Sequence, residues 1–174
     1  MAFKPITLAL DTGGWEFILR QALITGGARG IGWGIASAMR EAGYAVTVTG
    51  LTPDEVKAVP AGEHRQAVQL DVTSDAQVAD LFSRLGSLDV LVNCAGIGWA
   101  TRTIDKNGVP HDLVQFKRVV EINLIGSFNC IRLGASAMNR NEADEDGQKG
   151  AIVNTASVAA YDGQIGQAAY SASK

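Results

Sequence analysis

Tyr170 and Lys174 stand four residues apart, so on a helix both project from one face. A free phenol ionises near pH 10 and is a poor proton carrier at neutral pH. An ammonium beside it favours the phenolate, which would make Tyr170 a usable acid and base, and Lys174 would also grip ribose hydroxyls. Ser157 lies thirteen residues before Tyr170. Its hydroxyl would bond a substrate oxygen and share a developing negative charge. Asn123 would anchor a water connecting Lys174 to solvent. A Tyr-x-x-x-Lys pair arises often by chance, as a surface tyrosine beside a solvated lysine, so its weight depends on what else the chain places near it.

A second cluster supplies that weight. Gly26-x-x-x-Gly30-Ile31-Gly32 follows the apolar run Ala22-Leu23-Ile24-Thr25 and opens a helical pattern. In that context Gly26 makes a tight turn, Gly30 lets a pyrophosphate approach the backbone, and Gly32 allows close helix packing. The helix N-terminus then offers free N–H groups and partial positive charge to phosphates. The residue ending the second strand usually selects the cofactor, because a carboxylate there holds the adenosine ribose and repels a 2′-phosphate. Here Thr49-Gly50-Leu51-Thr52 occupies that point, with Gly50 and Leu51 beside the nucleotide. Arg29 would face a 2′-phosphate, which leans toward NADP over NAD. Arg29 as a plain solvated charge, and Asp54 as a nearby acid, remain open. Asp71 would accept from the adenine amino group with Val72 supplying backbone, or else cap a helix. Asn93, Ala95 and Gly96 end the fourth strand, where small residues let the chain pass the cofactor and Asn93 would hold strands in register.

These groups need a scaffold of strands ending at one edge. The chain has 174 residues, net charge −3, 47% apolar and 19% charged residues, which suits one globular domain rather than a disordered chain. Glycine is in excess, 20 residues, but without a Gly-X-Y period. Mild acidity without a basic cluster gives no support for nucleic-acid binding. No apolar run approaches the ~18 residues of a membrane span. Cys94 and Cys130 fit no metal spacing and read as reduced thiols of a cytoplasmic-type protein, with no metal expected. Met1 to Leu10 lacks a convincing cleavage site, and residues 1–20 read as an N-terminal extension before a nucleotide-binding domain at 21–174.

Apolar runs alternating with helical segments predict a parallel α/β sheet. Strands are expected at 22–25, 45–49, 67–70, 89–92 and 151–155. The first helix is expected over 33–42, with Ile31, Ile35 and Ala38 on one face and Gly43 as its stop. One helical turn fits 54–58. Ser74-Asp75-Ala76-Gln77 fits a capping box before Val78, Leu81, Phe82 and Leu85. A long helix is expected over 112–139, with Val119, Ile122, Phe128 and Leu133 among its apolar positions. Asn139 to Gly150, with four acids in twelve residues, reads as a solvated loop. A last helix begins near Gln167. The expected architecture is a doubly wound (Rossmann) sheet of order 3-2-1-4-5.

The set Thr25-Gly26-x-x-x-Gly30-Ile31-Gly32, Asn93-x-Ala95-Gly96, Asn123, Ser157 and Tyr170-x-x-x-Lys174 resembles the short-chain dehydrogenase/reductase family, from about Ala22 to Lys174. The resemblance implies a nicotinamide-dependent oxidoreductase acting on a secondary alcohol or ketone. Tyr170 would be the general acid/base, Lys174 its electrostatic partner and ribose ligand, Ser157 the substrate-oxygen donor and Asn123 the relay anchor, in a homotetramer or homodimer. Residues 123–129, 139–150, 154–160 and 163–174, with Cys94, are similar to the type II 3-hydroxyacyl-CoA dehydrogenases, which also act on hydroxysteroids. That subgroup uses NAD and has an acid after strand two, where this chain has Gly50. The resemblance also implies helices, final strands and a substrate loop beyond Lys174, so the 174 residues read as most of a larger domain. A truncated or non-catalytic nucleotide-binding protein is the alternative. A nucleotide-sugar epimerase is disfavoured by its Gly-x-x-Gly-x-x-Gly spacing.

Overall fold

The computed structural model describes residues 19–174. Nearly all of the expected N-terminal extension, including Met1 to Leu10, lies outside the described residues. Five parallel strands form one sheet: β1 (Gln21–Thr25), β2 (Ala45–Gly50), β3 (Arg65–Gln69), β4 (Val90–Asn93) and β5 (Ala151–Asn154). Their order is β3-β2-β1-β4-β5, as expected from the alternating pattern. β1 is central, so Leu23 and Ile24 are fully buried and its apolar run is continuous rather than alternating. The register sets Thr25 beside Asn93 and Asn93 beside Asn154, aligning three strand ends at one edge.

Among the described residues six α-helices surround the sheet: α1 (Gly30–Glu41), α2 (Pro53–Lys57), α3 (Asp75–Leu85), α4 (Leu113–Val120), α5 (Ser127–Met138) and α6 (Ala168–Ser173). On one face, Val78, Leu81, Phe82 and Leu85 of α3 pack with Cys130, Ala137 and Met138 of α5 against Leu23 and Leu91. On the other, α1 covers Ile24, Val46, Val48 and Val92. α1 starts three residues before the expected start, and its buried positions are Gly32 and Ala36. Ile31 is exposed because the first turn of α1 faces the groove at the sheet edge, and Ala38, two turns further on, is exposed as well.

The expected long helix is interrupted by a π-helical turn at Glu121–Gly126. The wider turn lets one rod bury two directions: α4 packs on α6, whereas α5 packs on α3, β4 and β5. Gly126 sits in this turn where an added Cβ would lie 2.5 Å from Val72 Cγ2. Phe128 is exposed, on the opposite side from Cys130. The 139–150 segment is a surface loop, closed by Asn141 Nδ2 donating to Leu88 O and Lys149 O. Ser74 caps α3 as expected, but the reciprocal half of the box does not close. Gln77 Oε1 accepts from Asp71 N–H instead, tying the end of β3 to α3.

Burial pushes the Cys130 thiol up to about 12. The folded chain therefore keeps a proton that the unfolded chain releases near pH 9. Stability is expected to fall by about 1.4 kcal/mol per pH unit above pH 9, in a window where unfolding sheds protons. Urea midpoints at pH 8 and pH 10 check this, and the drop should shrink in Cys130→Ala.

Candidate active site

The strand ends at this edge open into a cleft of about 900 Å³. Its floor is the glycine turn. Gly26 has φ +63°, and an added Cβ would lie 2.8 Å from the backbone of Ala95, so the β1 and β4 ends approach as only glycine allows. The turn is held by hydroxyls ending the strands. Thr49 Oγ1 accepts from Gly26 N–H at 3.2 Å, and Thr25 Oγ1 accepts from the N–H groups of Cys94 and Ala95, both at 3.2 Å. Around Gly32 an added Cβ would lie 2.6 Å from Gly26 O, which seats α1 directly on the turn. No side chain caps α1. Its first N–H groups and their partial positive charge therefore face the cleft beside Gly30 and Ile31, a cradle of the right chemistry for a phosphate group. The residues present fit a dinucleotide.

Of the sequence-predicted nucleotide residues, Gly26, Arg29, Gly30, Ile31, Gly32, Gly50, Leu51, Asp71, Val72, Ala95, Gly96, Tyr170 and Lys174 all line this cleft. Asn93 does not. It is buried within the sheet, donating from Nδ2 to Asn154 Oδ1 at 2.9 Å, so it registers strands rather than lining the groove. Asp71 lines the cleft, and its Oδ1 accepts from Thr73 N–H and Oγ1 in a turn ahead of α3, which Ser74 caps. Val72 O accepts from Asn129 Nδ2.

The strand-two end differs from expectation. Arg29 does not stand free: its Nε lies 3.0 Å from Glu55 Oε1. Asp54 is almost fully exposed and pairs with Lys57, outside the cleft wall. At the end of β2 the acid that faces the cleft is Glu55, which the motif reading passed over. Its signal was local: Thr52-Pro53-Asp54-Glu55 forms a closed capping box at the start of α2.

At the opposite end, Tyr170 and Lys174 share the cleft with Thr155 and Ala156. Lys174 Nζ lies 5.8 Å from the Tyr170 ring centroid and donates to Thr155 O at 2.8 Å. Thr155, also unforeseen, in turn donates from Oγ1 to Asn93 O. Ser157, two residues on, caps a short 3₁₀ turn (Val158–Ala160), its Oγ accepting from Ala159 N–H at 3.2 Å. That bond uses a lone pair and leaves its proton to donate. Neither Ser157 nor Asn123 lines the cleft itself. Asn123 is buried in the π turn. Its Oδ1 accepts from Ile97 N–H at 2.8 Å, and its Nδ2 donates to Ile97 O at 2.9 Å and to Ser173 Oγ at 3.0 Å. It thereby ties the loop after β4 to α6, the helix carrying Tyr170. Cys94 lines the groove too. Burial raises its thiol above the usual range, partly offset by Lys174.

A family model described as short chain dehydrogenase matches residues 20–174. The chain is 49% identical over 162 residues to the 3-hydroxyacyl-CoA dehydrogenase type-2 of Bos taurus, covering 88% of this chain and 61% of the relative. Against the protein of the same name in Drosophila melanogaster it is 46% identical over 160 residues, with 88% and 63% covered. The crystal structure of 3-hydroxyacyl-CoA dehydrogenase type-2 from Mycobacterium avium superposes with a TM-score of 0.82 at 34% identity, covering 89% of this chain and 63% of that one. The chain thus spans 61–63% of the length of these relatives. With the family match running through every element that builds the cleft, the chain belongs to the short-chain dehydrogenase family.

Proposed function

We propose that the protein is a nicotinamide-dependent oxidoreductase that interconverts a secondary alcohol and a ketone. One observation carries this: a single cleft has an uncapped helix N-terminus over a glycine turn at one end and the Tyr170–Lys174 pair at the other. When bound, the dinucleotide supplies or takes the hydride. Gly26, Gly30, Ile31 and Gly32 hold its phosphates, and Asp71 with Val72 N–H faces the adenine. Tyr170 moves the proton at the substrate oxygen. The Lys174 ammonium lies beside the Tyr170 ring and reaches the ribose, while its bond to Thr155 O fixes its position. Ser157 donates its hydroxyl proton to the same substrate oxygen. Asn123 holds α6 in place for the pair and anchors the relay of protons to Lys174.

The substrate class follows the relatives' names: a 3-hydroxyacyl-CoA and its 3-oxo partner, with a hydroxysteroid as the second class. Leu113, Leu124, Ile125 and Phe128 form an exposed apolar stripe along α4, the π turn and α5. This supports a homodimer or homotetramer. Among the described residues, no helix is long and apolar enough to cross a membrane. The lean toward NADP drawn from Arg29 now rests on a cation shared with Glu55. The test is a turnover screen with both nucleotides against 3-oxoacyl thioesters and ketosteroids. Turnover of a 3-oxoacyl-CoA is the expected result, and inertness toward every ketone with either nucleotide bound would refute the reading.

A further inference from the structure

We propose that Glu55, delivered from α2, reads the adenosine ribose in place of a strand-end acid and, paired with Arg29, makes the cleft select the 2′-hydroxyl over a 2′-phosphate. This rests on the nicotinamide reading above and reverses the preference that Arg29 suggests in isolation.

The argument begins at Gly50. A Cβ added there would lie 2.9 Å from Glu55 Cβ and 3.3 Å from Glu55 Oε2. The space that a side chain at the end of β2 would fill is therefore already filled by the Glu55 side chain. Glycine at 50 and glutamate at 55 are complementary: any larger residue at 50 displaces the carboxylate. The carboxylate is fixed as well as present. Oε2 accepts from Leu51 N–H at 2.7 Å and from Thr52 N–H at 3.3 Å. Thr52 Oγ1 returns the bond to Glu55 N–H at 3.2 Å. These bonds leave Oε1 toward Arg29, and both residues line the nucleotide cleft between the glycine turn and Leu51.

The chemistry then distinguishes the two nucleotides. A ribose hydroxyl donates to a carboxylate, whereas a phosphate dianion only accepts and is repelled by it at short range. To serve a 2′-phosphate, Arg29 would have to leave Glu55 while the carboxylate stayed pinned by two N–H groups. Arg29 is four-fifths exposed and Glu55 only one-quarter, so the acid is the anchored partner and the arginine the adaptable one.

Isothermal titration of the full chain with NAD and NADP tests this without reference to turnover. The wild-type chain is expected to bind NAD at least about tenfold more tightly, one charged hydrogen bond's worth of discrimination. Glu55→Gln keeps a capping oxygen but removes the charge, and should narrow the NAD/NADP ratio about tenfold, mainly by tighter NADP binding to the released Arg29. Adding Arg29→Ala should cancel that gain. A wild-type preference for NADP, or a Glu55→Gln ratio within about twofold of wild type, overturns the proposal while leaving the nicotinamide reading intact. Binding of neither nucleotide by the folded wild-type chain overturns both.

Discussion

Tyr170→Phe is expected to lower kcat by about 10²- to 10⁴-fold, the usual contribution of a positioned acid or base, while the Kd for the nucleotide stays within about twofold. The phenol ring stays to pack, and only the oxygen that carries the proton is lost. The backbone of α6 and the Lys174 bond to Thr155 do not depend on that oxygen. A merely structural tyrosine would show the reverse: a lower melting temperature with kcat little changed. Steady-state kinetics beside a nucleotide titration separates the outcomes, and wild-type-like turnover in the variant would remove Tyr170 from the chemistry.

Asn123→Ala is expected to destabilise the chain by about 3 kcal/mol, because it removes three hydrogen bonds at a buried position and strands both backbone groups of Ile97. The loss should also reach the catalytic helix. Ser173 loses a partner, and Ser173 lies between Tyr170 and Lys174 on α6, its own hydroxyl donating to Tyr170 O. Chemical denaturation reads the first effect and kcat the second. Asn123→Asp keeps an acceptor for Ile97 N–H but not the amide donor, so it should recover only part of the stability. Full stability in Asn123→Ala would mean that water replaces all three bonds.

Legibility from sequence divides along physical lines. The order of strands was readable because β1, β2 and β4 are buried on both faces and so leave unbroken apolar runs such as Leu23-Ile24 and Leu91-Val92. The glycine turn and the Tyr170–Lys174 pair were readable because each is local: a few residues, one element, fixed spacing. Asn93 was readable as a residue that holds strands in register, but its direction was not: strand ends alternate, and only the pairing with Asn154 shows that it points away from the cleft. Glu55 was missed for a related reason. Its function depends on an empty site five residues earlier, at Gly50, and on a helix of five residues whose capping box folds the carboxylate back. Ser74 and Gln77 show the limit of that signal: the same kind of motif, but the second half of its bond goes to Asp71. Thr155 and Ser157 lie on the segment after β5 and Asn123 in the π turn, and the sheet edge and the π turn bring these two segments near one helix.

The π turn at Glu121–Gly126 sets a boundary on how this protein can be made more robust. A regular α-helix has better hydrogen-bond geometry than a π turn, so substitutions chosen to straighten the rod would raise its local helical stability. Relaxing it would rotate α4 against α5 and carry Asn123 away from Ile97 and Ser173. Stabilisation engineered here would therefore trade against the alignment of the helix that holds Tyr170, and under the proposed function a tighter rod is expected to lower kcat.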